Sequence, residues 1–208
     1  MSTTDYVQLA ELARHVGTDT TIDSELLQFA CTAASRSIDA RCGRFFYQAT
    51  SQTGYTFPST AWICRFDDFD IATTAGLTVT TDTTNDGTYA TTWTVNTDYQ
   101  AGPESGIVAG KTGWPITTLR AVGTKSWPIR YIETQRPTVR VVGTFGWPSV
   151  PAPIKEATYL LAAEQYKLKD APTGIIGYGE YGAVRIRENP KIENLVLPFV
   201  KYGAAGIA

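Results

Sequence analysis

Apolar positions near the start of the chain recur with the period of a helix. Leu9, Leu12, Ala13 and Val16 follow the i, i+3, i+4, i+7 rule, which predicts a first helix closed by Gly17. Asp23 suits an N-cap, with Glu25 in the first turn behind it. It opens a second predicted helix whose stripe runs Leu27, Ala30, Cys31, Ala34, Ile38 and Cys42 and stops at Gly43. His15, the single histidine, falls in the last turn of the first helix, where the dipole favours partial positive charge.

From residue 44 to 147 the period shortens. Helix formers thin out, and 12 of the 26 residues between Thr73 and Asp98 are Thr, a composition that suits strands. Leu77, Val79 and Thr81 can share one face of a strand, and Tyr89, Thr91, Trp93 and Val95 a face of the next. Asn85-Asp86-Gly87 between them is a hairpin signal. Arg130–Glu133 and Thr138–Phe145 are further strand candidates. Trp-Pro recurs at residues 114, 127 and 147 with irregular spacing, which marks strand ends and not a repeat.

Helix returns after Pro151 and Pro153, residues that fit a first turn because its N–H groups are unpaired in any case. Ile154 to Leu168 carries Ala157, Leu160, Leu161, Ala162, Ala163 and Tyr166, apolar on more than one side and therefore well buried. Asn189-Pro190 reads as an N-cap and first-turn proline for a last helix bearing Ile192, Leu195, Val196 and Phe199, bent or ended by Pro198. The order predicts an α+β fold. A small helical bundle from residues 1–43 and 148–208 would enclose a large β-rich insertion, residues 44–147, between its second and third helices.

Gly177-Tyr178-Gly179-Glu180-Tyr181-Gly182 matches G-x-G-x-x-G letter for letter. Dinucleotide binding needs a strand before the first glycine and a helix N-terminus after the last. A helix and the breaker Ala171-Pro172-Thr173-Gly174 precede this run, and the period-two segment Ala183–Arg187 follows it. The expectation is a loop carrying two tyrosines.

Composition narrows the function. Net charge is −2, and basic and acidic residues number three and six over 1–43, eight and eight over 44–147, and seven and six over 148–208. No region has the basic excess of a protein that grips nucleic acid. No stretch approaches the roughly 20 apolar residues of a membrane span, and the N-terminus shows no signal-peptide pattern. Cys31 and Cys42 would lie ~16 Å apart on one helix, so these and Cys64 are expected as reduced thiols.

Catalytic candidates are few. A single histidine excludes a two-histidine zinc motif, and no G-x-S-x-G elbow is present. The carboxylates Asp67, Asp68 and Asp70 offer a divalent-cation or hydrolase reading, against a solvated turn. Asp82-x-Thr84-x-Asp86-Gly87 starts like a calcium loop, but its twelfth position is Trp93, where a bidentate Glu is required. No metal or cofactor is expected. Five Trp and eleven Tyr fit either stacked sugar binding or protein interfaces, and composition does not separate the two. The sugar reading expects Trp62, Trp93, Trp114 or Trp127 along an exposed groove.

Three stretches resemble the head-tail connector, or head-completion adaptor, proteins of long-tailed bacteriophages. "YVQLAELARHVG" and "ELLQFACTAASRSIDARCGRFFY", within residues 6–47, are similar to that family's opening helix pair. "VRVVGTFGWPSVPAPIKEATYLLAAEQYKLKDAPTG", residues 139–174, resembles its strand, Trp-Pro turn and central helix. "IIGYGEYGAVRIRENPKIENLVLPF", residues 175–199, is similar to its glycine loop and last helix. Together they cover roughly half the chain; the β insertion matches only in character. The resemblance implies a virion neck protein made in the host cytoplasm, with no enzyme activity. It would form a ring, generally dodecameric, docked on the portal protein and offering a platform to the next neck or tail protein. DNA would pass through the lumen without specific binding, and no membrane is involved. In that role Gly174, Gly177, Gly179 and Gly182 would serve as a hinge. Tyr178, Tyr181, Arg185, Arg187, Ile192 and Phe199 would meet the portal or a neighbouring copy.

Overall fold

The structure, a computed structural model, describes residues 4–21, 23–67, 69–129, 136–167 and 189–201. Among these are four α-helices and seven strands, and the α+β expectation holds. The chain divides into two compact units, Met1–Phe46 with Val150–Ala208, and Tyr47–Ser149.

In the first unit, α1 (Leu9–Val16) begins at Gln8, whose side chain and that of Glu11 form a reciprocal capping box, and ends on left-handed Gly17. Helix α2 (Ser24–Cys42) ends on left-handed Gly43 as predicted. Its start differs from expectation. Asp23 makes no cap hydrogen bond, because its Oδ2 accepts from the Tyr166 hydroxyl at 2.6 Å and ties the head of α2 to the tail of α3 (Ala152–Lys167). Helix α4 (Pro190–Val196) is capped by Asn189, which accepts from the Lys191 N–H, and passes into a 3-10 turn containing Pro198. Leu12, Leu27, Ala30, Cys31, Ala34 and Ala162 form the centre of the helical core.

The second unit holds two antiparallel sheets around one core. One sheet has the order β1 (Thr53–Phe57), β7 (Val139–Gly143), β3 (Thr78–Thr81), β4 (Thr91–Trp93). The other has the order β2 (Ile63–Arg65), β6 (Thr118–Ala121), β5 (Tyr99–Gly102). Val79 pairs with Trp93 on one side and Val141 on the other, setting all three side chains into the core. The Asn85-Asp86-Gly87 turn is present, with φ of 57° at Asn85 and 93° at Gly87. It is organised from within. The carboxylate of the fully buried Asp82 accepts the backbone N–H groups of Thr84, Asn85 and Gly87. Those donors occupy the oxygens that a calcium loop would need, so the hairpin reading stands.

Two of the four tryptophans expected along a sugar-binding groove lie in this core. Trp93 and Trp127 stack face to face with centroids 3.9 Å apart and 12° between planes, and Trp127 is 1% exposed. Trp114 is half-buried with its ring 5.1 Å from that of Trp147, which leaves Trp62, 61% exposed, as the open one. The groove expectation is corrected: packing against neighbouring rings consumes the surfaces a sugar would stack on. The strand expected at 130–133 and the glycine run at 174–182 lie outside the described residues.

Candidate assembly interface

Groups with chemical potential do not converge among the described residues. Cys31, Cys42 and Cys64 are buried and unpaired with one another, and burial raises their thiols to about 11, 12 and 12 respectively. Protonated and enclosed, they are poor nucleophiles. Asp70 is 3% exposed and accepts the Trp147 indole N–H at 3.0 Å, whereas Asp67 is exposed and Asp68 lies outside the described residues. No group of His, Cys, Asp or Glu among the described residues is arranged to hold a metal ion. Among the described residues the carboxylate run does not form the cluster the hydrolase reading needs, because Asp70 turns inward as the partner of a core indole. No described helix is long and apolar enough to cross a membrane.

The helical unit instead shows two contrasting surfaces. The buried stripe of α2 leaves the opposite face to solvent, and that face carries Leu26, Phe29, Ala33, Ser37 and Ala40. Their spacings of three and four keep them in one line along the helix; Arg36, seven residues after Phe29, lies beside that line, paired with Asp39 and donating to the Thr4 carbonyl. Leu26 is 48% and Phe29 72% exposed, which makes them an apolar ridge near the start of α2. Side by side and with polar residues around them, the two form a small contiguous apolar patch, the kind of surface that marks an interaction site. The stretch around it is acidic: Asp19, Asp23 and Glu25 precede it, and no Lys or Arg occurs between Gly17 and Ser35.

The second surface is a groove of about 690 Å³ with the outer face of α3 as its floor and α1 and the start of α4 as its walls. Ala152, Tyr159 and Leu160 supply apolar surface, while Ile154, Ala157 and Thr158 on the other side of the same helix are buried. Arg14, His15, Lys155 and Lys191 line it together with Glu11 and Glu156. Lys191 Nζ lies 2.9 Å from Glu156 Oε1. The Tyr159 hydroxyl, then the Gln8 backbone N–H, hold the Glu11 carboxyl below the usual range. The rim carries an excess of one positive charge, with three Lys or Arg side chains against two carboxylates.

Residues expected at an interface fall in different places. Ile192 and Phe199 are buried, 8% and 6% exposed, and the Phe199 ring meets Phe46 edge to face at 5.9 Å. That expectation is corrected, because both side chains are used by the helical unit itself. Tyr178, Tyr181, Arg185 and Arg187, and the hinge glycines Gly174, Gly177, Gly179 and Gly182, lie outside the described residues. The α2 ridge is hard to see in the sequence because the stripe facing the core dominates the helix pattern. Its signal was the pair Leu26 and Phe29 off that stripe.

No protein-family model matches the chain, and neither does any curated protein. Solved structures do. A chain from the neck of an empty gene transfer agent particle, computed with C6 symmetry, superposes with a TM-score of 0.52 at 18% identity. The match covers 97% of this chain and 92% of that one. A chain from the neck of the native particle, computed with C12 symmetry, gives 0.52 at 16% identity over 95% and 90% of the two chains. The chain shares the fold of these two neck chains. This bears out the resemblance read from the sequence. The shared fold takes in the helical parts and the β insertion alike, since nearly the whole of both chains is aligned.

Proposed function

We propose that this chain is a structural neck protein of a phage-like particle: a head-to-tail connector subunit that forms a ring, docks on the portal, extends the DNA channel and receives the next neck or tail protein. The observation that carries this reading is the neck-chain fold over 97% of the chain. The C6 and C12 symmetry of those necks supports a ring of copies. Balanced charge supports a lumen that lets DNA slide, because a strongly basic wall would hold phosphates by counterion release. We assign no catalytic step and no cofactor to the chain. Its place in this reading is the virion neck.

The C-terminal segment supplies the portal contact in this proposal. Tyr178 and Tyr181 act as aromatic anchors and Arg185 and Arg187 as ion-pair partners, carried by the hinge at Gly174, Gly177, Gly179 and Gly182. Cutting the chain after Gly174 would also delete α4 and its buried Ile192 and Val196, so deletion tests the fold as much as the contact. The decisive experiment is light scattering of the full chain mixed with the portal of the same particle. It is repeated with Tyr178→Ala/Tyr181→Ala and with Arg185→Glu/Arg187→Glu. A ring on the portal with the natural chain, weakened by both variants, is expected. A chain that never joins the portal overturns the connector reading, and a ring indifferent to both variants removes the C-terminal segment from it.

A further inference from the structure

A ring closed by rotation needs two different patches on each chain, one that presents and one that receives, looking outward in different directions. The helical unit has such a pair. Helices α2 and α3 pack on each other. The α2 ridge lies on the side of α2 away from the core, and the groove lies on the side of α3 away from buried Ile154, Ala157 and Thr158. The ridge is convex and apolar, and Asp19, Asp23 and Glu25 precede it in the sequence. The groove is concave, floored by Tyr159 and Leu160, and rimmed by Arg14, Lys155 and Lys191 together with Glu11 and Glu156, Lys191 being paired with Glu156.

From this we infer that Leu26 and Phe29 of one copy seat in the groove between α1, α3 and α4 of the next copy, forming the heterologous contact of the ring. The inference rests on the ring reading above and names the surfaces that close it. A phenylalanine packed in a desolvated groove is the type of anchor that dominates an interface. Acidic residues ahead of the ridge meet a rim with an excess of one positive charge, which favours this pairing and helps set its register. The same surfaces disfavour a face-to-face dimer, because two ridges would bring their acidic flanks together.

Cross-linking of the full chain tests this directly. Two populations are made, one with Phe29→Cys and one with Ala152→Cys, distinguished by tags, and a short bismaleimide is added under conditions where the natural chain sediments as a ring. The buried native thiols stay out of the reaction. Links between the two populations are expected, and links of Phe29→Cys to itself overturn the proposal in favour of a two-fold contact. Protection of Phe29→Cys from a maleimide in the monomer would overturn it differently, by showing that the chain's own remaining segments cover the ridge. In parallel, Phe29→Asp is expected to raise the ring dissociation constant tenfold or more, on the order of a hot-spot loss, with the helical circular dichroism unchanged. A ring that forms unaltered with Phe29→Asp sinks this inference and leaves the neck reading standing. A natural chain that forms no ring at any concentration, with or without portal, sinks both.

Discussion

The indole N–H of Trp147 donates to Asp70 Oδ2 across 3.0 Å, and both residues are buried in the β unit. Asp70 belongs to an acidic run that invites a catalytic reading, yet its carboxylate satisfies a core donor. Removing a buried acceptor leaves its donor desolvated and unpaired, at a cost of about 1–3 kcal/mol. Asp70→Ala is therefore expected to lose about 2 kcal/mol of stability, and Asp70→Asn, which keeps an acceptor oxygen, a smaller amount. Urea titration followed by tryptophan fluorescence measures both. A catalytic carboxylate would behave in the opposite way, with the alanine variant as stable as the natural chain.

The tryptophans include a stacked core pair, Trp93 with Trp127, and one exposed ring, Trp62. Trp127 stacks on Trp93, whose indole N–H donates to Thr81 Oγ1 at 3.1 Å, so the pair is fixed by packing and by a hydrogen bond. Trp127→Ala is expected to cost about 3–5 kcal/mol, the range for large aromatic truncations in cores. Trp62→Ala should stay within about 0.5 kcal/mol, as exposed substitutions do. Iodide quenching gives an independent reading. The quenchable fraction of the fluorescence should fall in Trp62→Phe and persist in Trp127→Phe. Quenching by glycans centred on Trp93 or Trp127 would show that the stack opens to bind, contrary to this placement.

Helices α1, α2 and α4 were legible in the sequence because each combined a period-3.6 stripe with a punctuating residue, and α3 because prolines open a long apolar run. Gly17, Gly43 and Asn189 all sit at the predicted ends. Asp23 had the right residue type in the right place, and a long-range partner, Tyr166, took its carboxylate instead. In the β unit, β3 and β7 were legible because Val79, Val139 and Val141 alternate with polar neighbours around them. Strands β1, β2, β5 and β6 escaped. Thr53–Phe57 is an edge strand with four of its five residues exposed, and Ile63–Arg65 is three residues long, so neither carries a period to read. The candidate assembly site was half legible for a related reason. A lone apolar pair such as Leu26 and Phe29 stands out only once the buried face of α2 is known, and the groove needs three helices that are distant in sequence.

Asp39 makes the stability of the helical unit depend on pH. The Tyr6 hydroxyl donates to Asp39 Oδ1 and accepts the Phe46 N–H at 2.7 Å, linking the chain ahead of α1, the end of α2 and the exit from α2. Arg36 Nε lies 3.2 Å from Asp39 Oδ2. Burial is the larger influence on Asp39. It lifts the carboxyl from 3.8 to about 6, against the lowering effect of the Tyr6 hydroxyl and the Arg36 guanidinium. Between those two values the folded chain binds more protons at Asp39 than the unfolded chain, so this contribution to stability falls as pH rises. It is fully present below about pH 4 and gone above about pH 6. Asp39→Asn keeps an acceptor for Tyr6 and removes the titration. Denaturant unfolding of both proteins at intervals from pH 4 to 7 isolates the effect as a difference profile. The natural chain is expected to lose stability relative to the variant across that window and to run parallel to it above. Parallel profiles throughout would mean that Arg36 outweighs burial and keeps Asp39 ionised in the fold.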